Sequence, residues 1–371
     1  DQKENIIYHV EYNPSEKIDT LVWLNIKTGE DGIITSVNTD KEGYIQTDFI
    51  CATTGQIVYL LGRIDTRGIS LVTWKQDNDV WKQISEIPLN RPESWNYPRL
   101  FISDSGRGIC CTSVETVVFD VNSEDVLYAI VGTEEKKQVT FQKATLEEAK
   151  QAREESKTFN IGNNCGISPD GKYIITTGRL NIMMLLDASD MDNIVVAEYL
   201  KCGAVYYRNI IDDLVANTLY ITHPAGVSEI IFNDDGSYEY NELPNSTYFY
   251  SSGGFAAYDD QTIFAICNSG IQVLDVANGF GNVQEEDFNS YNPIRLKGSP
   301  AINKSNKLMC VSFPAKGQIT ILNAKDPNKI QLLADLYVKG NADNAYISDD
   351  GIVFVPCRYE GVLKITVNLD E

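Results

Sequence analysis

Short apolar, β-branched runs alternate with polar turns along this chain, and the same order of turn and run recurs. The clearest copy is Ser168-Pro169-Asp170-Gly171 followed by Lys172–Gly178 (KYIITTG). Pro169 presets φ for a turn, Gly171 tolerates a left-handed backbone, and the run after them has strand composition. Seven such runs are predicted as strands: Gln56–Gly62, Arg107–Ser113, Lys172–Gly178, Asn217–His223, Gln261–Cys267, Asn306–Ser312 and Gly351–Cys357. Their starts lie 51, 65, 45, 44, 45 and 45 residues apart. A second run follows each across a short loop: Ile69–Trp74, Thr116–Val121, Leu180–Leu186, Val227–Phe232, Ile271–Val276, Gln318–Asn323 and Val362–Asn368. A third, more polar strand is predicted at Val80–Ile87, Val126–Val131, Asn193–Leu200 and Lys329–Tyr337, and a small-residue strand precedes each turn, as in Gly162–Ser168 and Asp343–Ser348.

Four antiparallel strands per roughly 45-residue unit form the pattern of a β-propeller blade. Such a sheet cannot bury its faces alone and packs face to face on its neighbours. The expectation is an all-β chain: a seven-bladed β-propeller of four-stranded antiparallel blades, one domain over residues 1–371. The strand nearest the axis is crowded, which accounts for Cys165-Gly166, Gly253-Gly254, Gly298-Ser299 and Ala342 there. The last unit lacks a fourth strand, and Gly32–Asn38 is predicted to supply it and latch the ring, leaving no open edge. The strands Ile6–Tyr12 and Asp19–Ile26 are then surplus, so eight blades is the alternative. The 65-residue interval holds a charged insertion over 133–160, in which Thr145-x-x-Glu148 is a capping box and Leu146–Lys157 reads as helix. Its apolar stripe is Leu146, Ala149 and Ala152. The helix is either a tolerated surface insertion or a flap that docks a partner.

Composition narrows the function classes. The chain has 371 residues, 43% of them hydrophobic and 20 of them Tyr, enough to fill cores between sheets. Its net charge of −21 repels phosphate backbones, which argues against nucleic acid as a partner. No apolar run reaches the ~18 residues a membrane span needs. The opening Asp1-Gln2-Lys3-Glu4-Asn5 has no signal-peptide character, as expected of a trimmed exported protein or of a cytoplasmic one. None of the eight cysteines stands in a CxxC pair or at zinc-finger spacing. Buried thiols are expected, with one or two disulfides between neighbouring sheets as the alternative.

With its SPDGKY turn at Ser168–Tyr173, the chain resembles the YVTN-like and quinoprotein-type β-propeller superfamily. The segment Gly29-Glu30-Asp31-Gly32-Ile33-Ile34-Thr35-Ser36-Val37, leading to Glu42-Gly43-Tyr44, also looks like exported lipoprotein propellers of unknown function. That resemblance implies an exported protein, periplasmic or at the cell surface, with a lipid anchor outside the sequence.

Catalytic signatures are few. His9 and His223 are the only histidines, so a triad or a His-based metal site would have to use one of them. The acidic pairs Asp234-Asp235, Asp259-Asp260 and Asp349-Asp350 are candidates for a structural divalent metal. Solvated turns are their simpler reading, and no cofactor is expected. Loops between second and third strands should gather with the sheet-to-sheet connections around the axis. These loops carry Arg63, Arg67, Arg179, His223, Asn268, Lys316, Arg358 and Tyr359, and the connections add Arg91, Trp95, Asn163 and Asn341. Guanidinium forks suit carboxylate or sulfate groups, and aromatic rings suit sugar faces. The expected function is a non-catalytic binding or scaffold propeller that recognises a glycan, a small anionic ligand or a protein partner there. The alternative is an enzyme of the lactonase or quinoprotein-like class acting in an axial pocket. A competing account of the arginines is that they bridge blades through buried carboxylates.

Overall fold

The structure is a computed structural model, and it describes residues 5–53, 55–66, 68–89, 99–112, 116–123, 127–135, 138–155, 165–177, 183–200, 209–215, 217–223, 226–243, 255–267, 270–275, 296 and 298–368. Among them lie eight small antiparallel sheets, each built from strands consecutive in the chain. The first contains β1 (Ile6–Asn13), β2 (Ile18–Asn25) and β3 (Asp31–Asn38). The second contains β4 (Gly43–Thr53), β5 (Gln56–Arg63), β6 (Ile69–Asp77) and β7 (Val80–Leu89). The third has five strands: β8 (Arg99–Ile102), β9 (Arg107–Cys111), β10 (Thr116–Asp120), β11 (Leu127–Glu135) and β12 (Gln138–Ala144). The helix α1 (Leu146–Glu154) follows, and then β13 (Cys165–Ile167), β14 (Tyr173–Thr177), β15 (Met183–Asp187) and β16 (Val195–Leu200). The fifth sheet is β17 (Asn209–Val215), β18 (Thr218–His223), β19 (Gly226–Phe232) and β20 (Tyr238–Glu242). The sixth is β21 (Phe255–Ala257), β22 (Thr262–Cys267) and β23 (Gly270–Asp275). The seventh is β24 (Ser299–Ile302), β25 (Leu308–Phe313), β26 (Gln318–Asn323) and β27 (Gln331–Tyr337), and the last is β28 (Tyr346–Ile347), β29 (Ile352–Cys357) and β30 (Gly361–Thr366).

The chain falls into two compact units. One comprises Asp1–Tyr8, Glu16–Ile210 and Ile230–Glu239; the other comprises His9–Ser15, Ile211–Glu229 and Tyr240–Glu371. In the first unit, Ile109, Cys111, Val118 and Ile130 pack against Ile174, Met184 and Leu186, so the third and fourth sheets share one core. In the second unit, Cys310, Ile319 and Ile321 pack against Val353, Val355 and Cys357. Sheet-to-sheet burial of this kind gives each small meander the core it lacks alone.

The local sequence explains the turns. Ser168 Oγ accepts the Tyr173 amide at 2.8 Å, and Gly171 adopts φ +74°. A Cβ on Gly171 would meet Ser105, Arg107 and Ser103, so this glycine answers both to its backbone and to a close neighbour. The Thr145 capping box forms as expected: Glu148 N donates to Thr145 Oγ1 at 3.2 Å, and Thr145 N donates to Glu148 Oε2 at 2.8 Å. Leu146, Ala149 and Ala152 pack on Ala129, Val131 and Ala144.

Two expectations change. Among the described residues the strand Gly32–Asn38 is not found in the last sheet: within β3 it pairs with β2, through the register Ile18↔Asn38 to Leu24↔Asp31. A local hairpin closed by Gly29 at φ +76° takes it before any distant edge is available. The charged insertion is not loop and helix alone, because Gln138–Ala144 adds as a fifth strand, β12, on β11. The five described cysteine side chains, Cys110, Cys111, Cys165, Cys310 and Cys357, are buried thiols; those of Cys51, Cys202 and Cys267 lie outside the described residues. No helix of the described residues is long and apolar enough to cross a membrane.

Candidate functional site

Seven of the residues singled out from sequence lie outside the described residues: Arg67, Arg91, Trp95, Asn163, Arg179, Asn268 and the side chain of His223, whose backbone ends β18. Arg63, in the first unit, closes β5. Its Nη2 is paired with Glu86 of β7, and both side chains are about a quarter exposed (25% and 28%). This guanidinium links β5 to β7 within a single sheet, through a carboxylate that is partly exposed, rather than bridging one blade to the next.

The remaining four, Lys316, Asn341, Arg358 and Tyr359, belong to the second unit and are brought together by backbone. The β25–β26 connection is a 3-10 turn, Pro314–Lys316, stopped by Gly317 at φ +61°. Gly317 O accepts the Val338 amide at 2.8 Å, which ties this turn to the segment leading from β27 to β28. A Cβ on Gly317 would stand 2.3 Å from Val338 O and 2.5 Å from Gly340 O, so no side chain fits. Gly340 in turn lies against the backbone of Arg358 and Tyr359, where an added Cβ would sit 3.2 Å from the Tyr359 nitrogen. Ala342 forms a bridge with Cys357, and the Asp343 amide donates to Pro356 O at 2.9 Å. Three connections are thereby held side by side with their side chains projecting: Lys316 and Lys339 exposed, Asn341 and Arg358 half-buried, and Tyr359 at 50% exposure.

Residues from the start of the chain complete the cluster. Tyr12 N donates to Arg358 O at 2.7 Å. The Arg358 guanidinium stands 5.3 Å from the centre of the Tyr12 ring, within cation–π range. Tyr12 and Tyr359 meet edge to face, with centroids 5.4 Å apart and an interplanar angle of 81°. On the opposite face of the strand, His9 Nε2 and Glu11 Oε1 are 3.1 Å apart, and the His9 ring is buried with no described partner for Nδ1. Nothing in the repeat marks Tyr12, His9 and Glu11 as site residues, because their strand is surplus to a seven-bladed ring. The tyrosines at 8 and 12 on a strand outside the repeat were the available signal.

The cluster carries both charges, with Lys316, Lys339 and Arg358 alongside Asp343 and Glu360. Among the described residues no group of three His, Cys, Asp or Glu is placed to hold a metal ion. The acidic turns spend their carboxylates locally. Asp235 accepts from the Ser237 amide (2.9 Å) and hydroxyl (2.6 Å), and Asp349 accepts from Asn303 Nδ2 at 2.9 Å. Beneath the cluster, burial pushes the Cys357 thiol up to about 11 and that of Cys310 to about 12, so both are protonated and inert at neutral pH.

No protein-family model matches the chain, and no curated protein matches its sequence. Solved structures similar to it include BamB from Moraxella catarrhalis, with 13% identity, a TM-score of 0.49, and coverage of 99% of this chain and 96% of that one. The Cps50 (Swd1) β-propeller domain of Myceliophteria thermophila has 10% identity and a TM-score of 0.48, over 84% of this chain and 94% of that one. Apo AztD from Citrobacter koseri has 12% identity and a TM-score of 0.45, over 91% and 96%.

Proposed function

We propose that the protein is a β-propeller that binds carbohydrate at the loops joining its strands. The observation that carries this reading is the surround of Tyr359: a ring half exposed to solvent, braced edge-on by Tyr12, and bordered by Arg358, Lys316, Asn341 and Glu360. An apolar ring face with a polar handle accommodates the C–H face of a sugar. Donors and acceptors of both signs around it match a polyhydroxyl ligand better than a simple anion, which calls for cations alone. The succession of eight small meanders supports the propeller reading, and eight blades fits it better than seven.

The test is a glycan array probed with the wild-type chain and with Tyr359→Ala, followed by titration of the best binder. Binding that weakens at least tenfold in the variant, at an unchanged melting temperature, is the expected result. Failure of every glycan to bind above the Tyr359→Ala control overturns it. Turnover of a bound saccharide or lactone would favour the enzyme reading instead, with the His9–Glu11 pair as the first place to look.

A further inference from the structure

The strand β27 is unusual among the outer strands. It ends its sheet, paired with β26 on one side and with no other described strand. Four of the eleven large hydrophobic residues that stand exposed among the described residues lie within its seven positions: Leu332 (36%), Leu333 (41%), Leu336 (36%) and Tyr337 (65%). Edge strands in soluble proteins are ordinarily blunted by charge. The outer strand β7 follows that rule with the exposed Lys82. The only charge within β27 is Asp335, and it is turned back onto its own sheet, accepting from Gln318 Nε2 at 3.0 Å and Thr320 Oγ1 at 2.8 Å. A bulge opposite Ile321 and Leu322 leaves Leu333 without a cross-strand partner, so apolar side chains stand on both faces of the edge. The charges that flank the strand are exposed lysines, Lys329 before it and Lys339 after it, in a chain whose net charge is −21.

We infer that β27 is a docking edge for an extended peptide segment of another protein, apolar in its middle and acidic at both ends, which adds to the sheet as a fifth strand. The unpaired amides and carbonyls of β27 supply the ladder, and the leucines and Tyr337 supply apolar contact on either face. Lys329 and Lys339 select the acidic ends. The same two lysines argue against a second copy of this chain. Antiparallel pairing of two β27 strands would set Lys329 of one beside Lys339 of the other, and both copies carry the same large negative charge. This surface shares only Lys339 with the loop cluster around Tyr359 and stands whether or not a sugar binds there.

The experiment uses the full chain against two immobilised sets of nine-residue peptides, valine or isoleucine alternating with threonine, one set ending in aspartate and glutamate and the other in lysine. Acid-ended peptides are expected to bind at least tenfold more tightly than lysine-ended ones. Leu333→Lys and Leu336→Lys should each weaken that binding at least tenfold while leaving the melting temperature unchanged. Hydrogen exchange on the wild-type chain gives a readout independent of any variant's folding: the acid-ended peptide should slow exchange at alternate amides across 331–337. Absence of binding, equal binding of the two sets, or protection confined to another strand overturns the inference. So does a concentration-dependent dimer that Leu333→Lys dissolves, which would make the occupant a second copy.

Discussion

The two ends of the sheets in the second unit are held by different means. At the end where β24 turns into β25 and β28 into β29, side chains do the fastening. Asn303 Nδ2 donates to Ile347 O (3.0 Å) and Asp349 Oδ1 (2.9 Å), and Asn306 Nδ2 donates to Ser348 O (3.0 Å) and Asp349 O (3.2 Å). Lys307 Nζ reaches Tyr258 O at 2.6 Å and lies 3.9 Å from the centre of the Tyr258 ring. At the other end the fastening is done by backbone: Gly317 against Val338, Gly340 against Arg358 and Tyr359, and the Tyr12 amide on Arg358 O. Side chains at the first end are committed to stability. Those at the second project from the backbone, and under the function proposed above they are the ones that would meet a ligand.

This contrast is open to direct attack. Gly317→Val should have the largest effect, since its Cβ would lie 2.3 Å from a carbonyl oxygen at a positive φ. A loss of about 4 kcal/mol or failure to accumulate soluble protein is expected, read by urea denaturation. Asn306→Ala comes next. It removes the donor to a partly buried carbonyl, Ser348 O, and to an exposed one, Asp349 O, and should cost about 1–3 kcal/mol. Tyr359→Ala and Lys316→Ala, at the opposite end, should change stability by no more than about 0.5 kcal/mol. If Tyr359→Ala destabilises as much as Asn306→Ala, the division of labour is wrong.

The buried thiols between these ends sharpen the same comparison. Peptide-mapped alkylation of Cys310 and Cys357 should be slow in the native chain, faster in Asn306→Ala, and unchanged in Tyr359→Ala. The pH dependence follows from the raised values. An unfolded thiol releases its proton near pH 8.5–9, whereas the folded ones hold theirs to about 11 and about 12. Their contribution to stability is therefore constant below about pH 9 and declines above it, as the unfolded state loses protons first. Cys310→Ala should flatten the alkaline limb of a stability profile, the smallest of these effects.

Most strands were legible in the sequence because turn and period agreed. Gln318–Asn323 is β26 as predicted, and Gln56–Gly62 falls short of β5 by one residue. Legibility failed where pairing was decided by competition between segments. The run Gln138–Ala144 carries charge and sits in an insertion, so nothing local distinguishes it from loop; the exposed edge of β11 makes it a strand. Gly32–Asn38 had strand composition, but composition does not name a partner, and the nearer one won. The same limit applies to the site. The positions of Lys316, Asn341, Arg358 and Tyr359 followed from strand order, while Tyr12 came from a strand far away in sequence. Arg63 shows the reverse case, an arginine whose position suggested a ligand and whose carboxylate neighbour, Glu86, already occupies it.

The hydrogen bond from Tyr12 to Arg358 also sets a timetable. The strand bearing residue 12 is made 346 residues before the Arg358 carbonyl that receives it. Until then one side of that strand has no permanent neighbour, and its apolar residues are open to mispairing on the ribosome. That contact therefore closes late, and a chaperone that shields β1 would gain most from binding before it does.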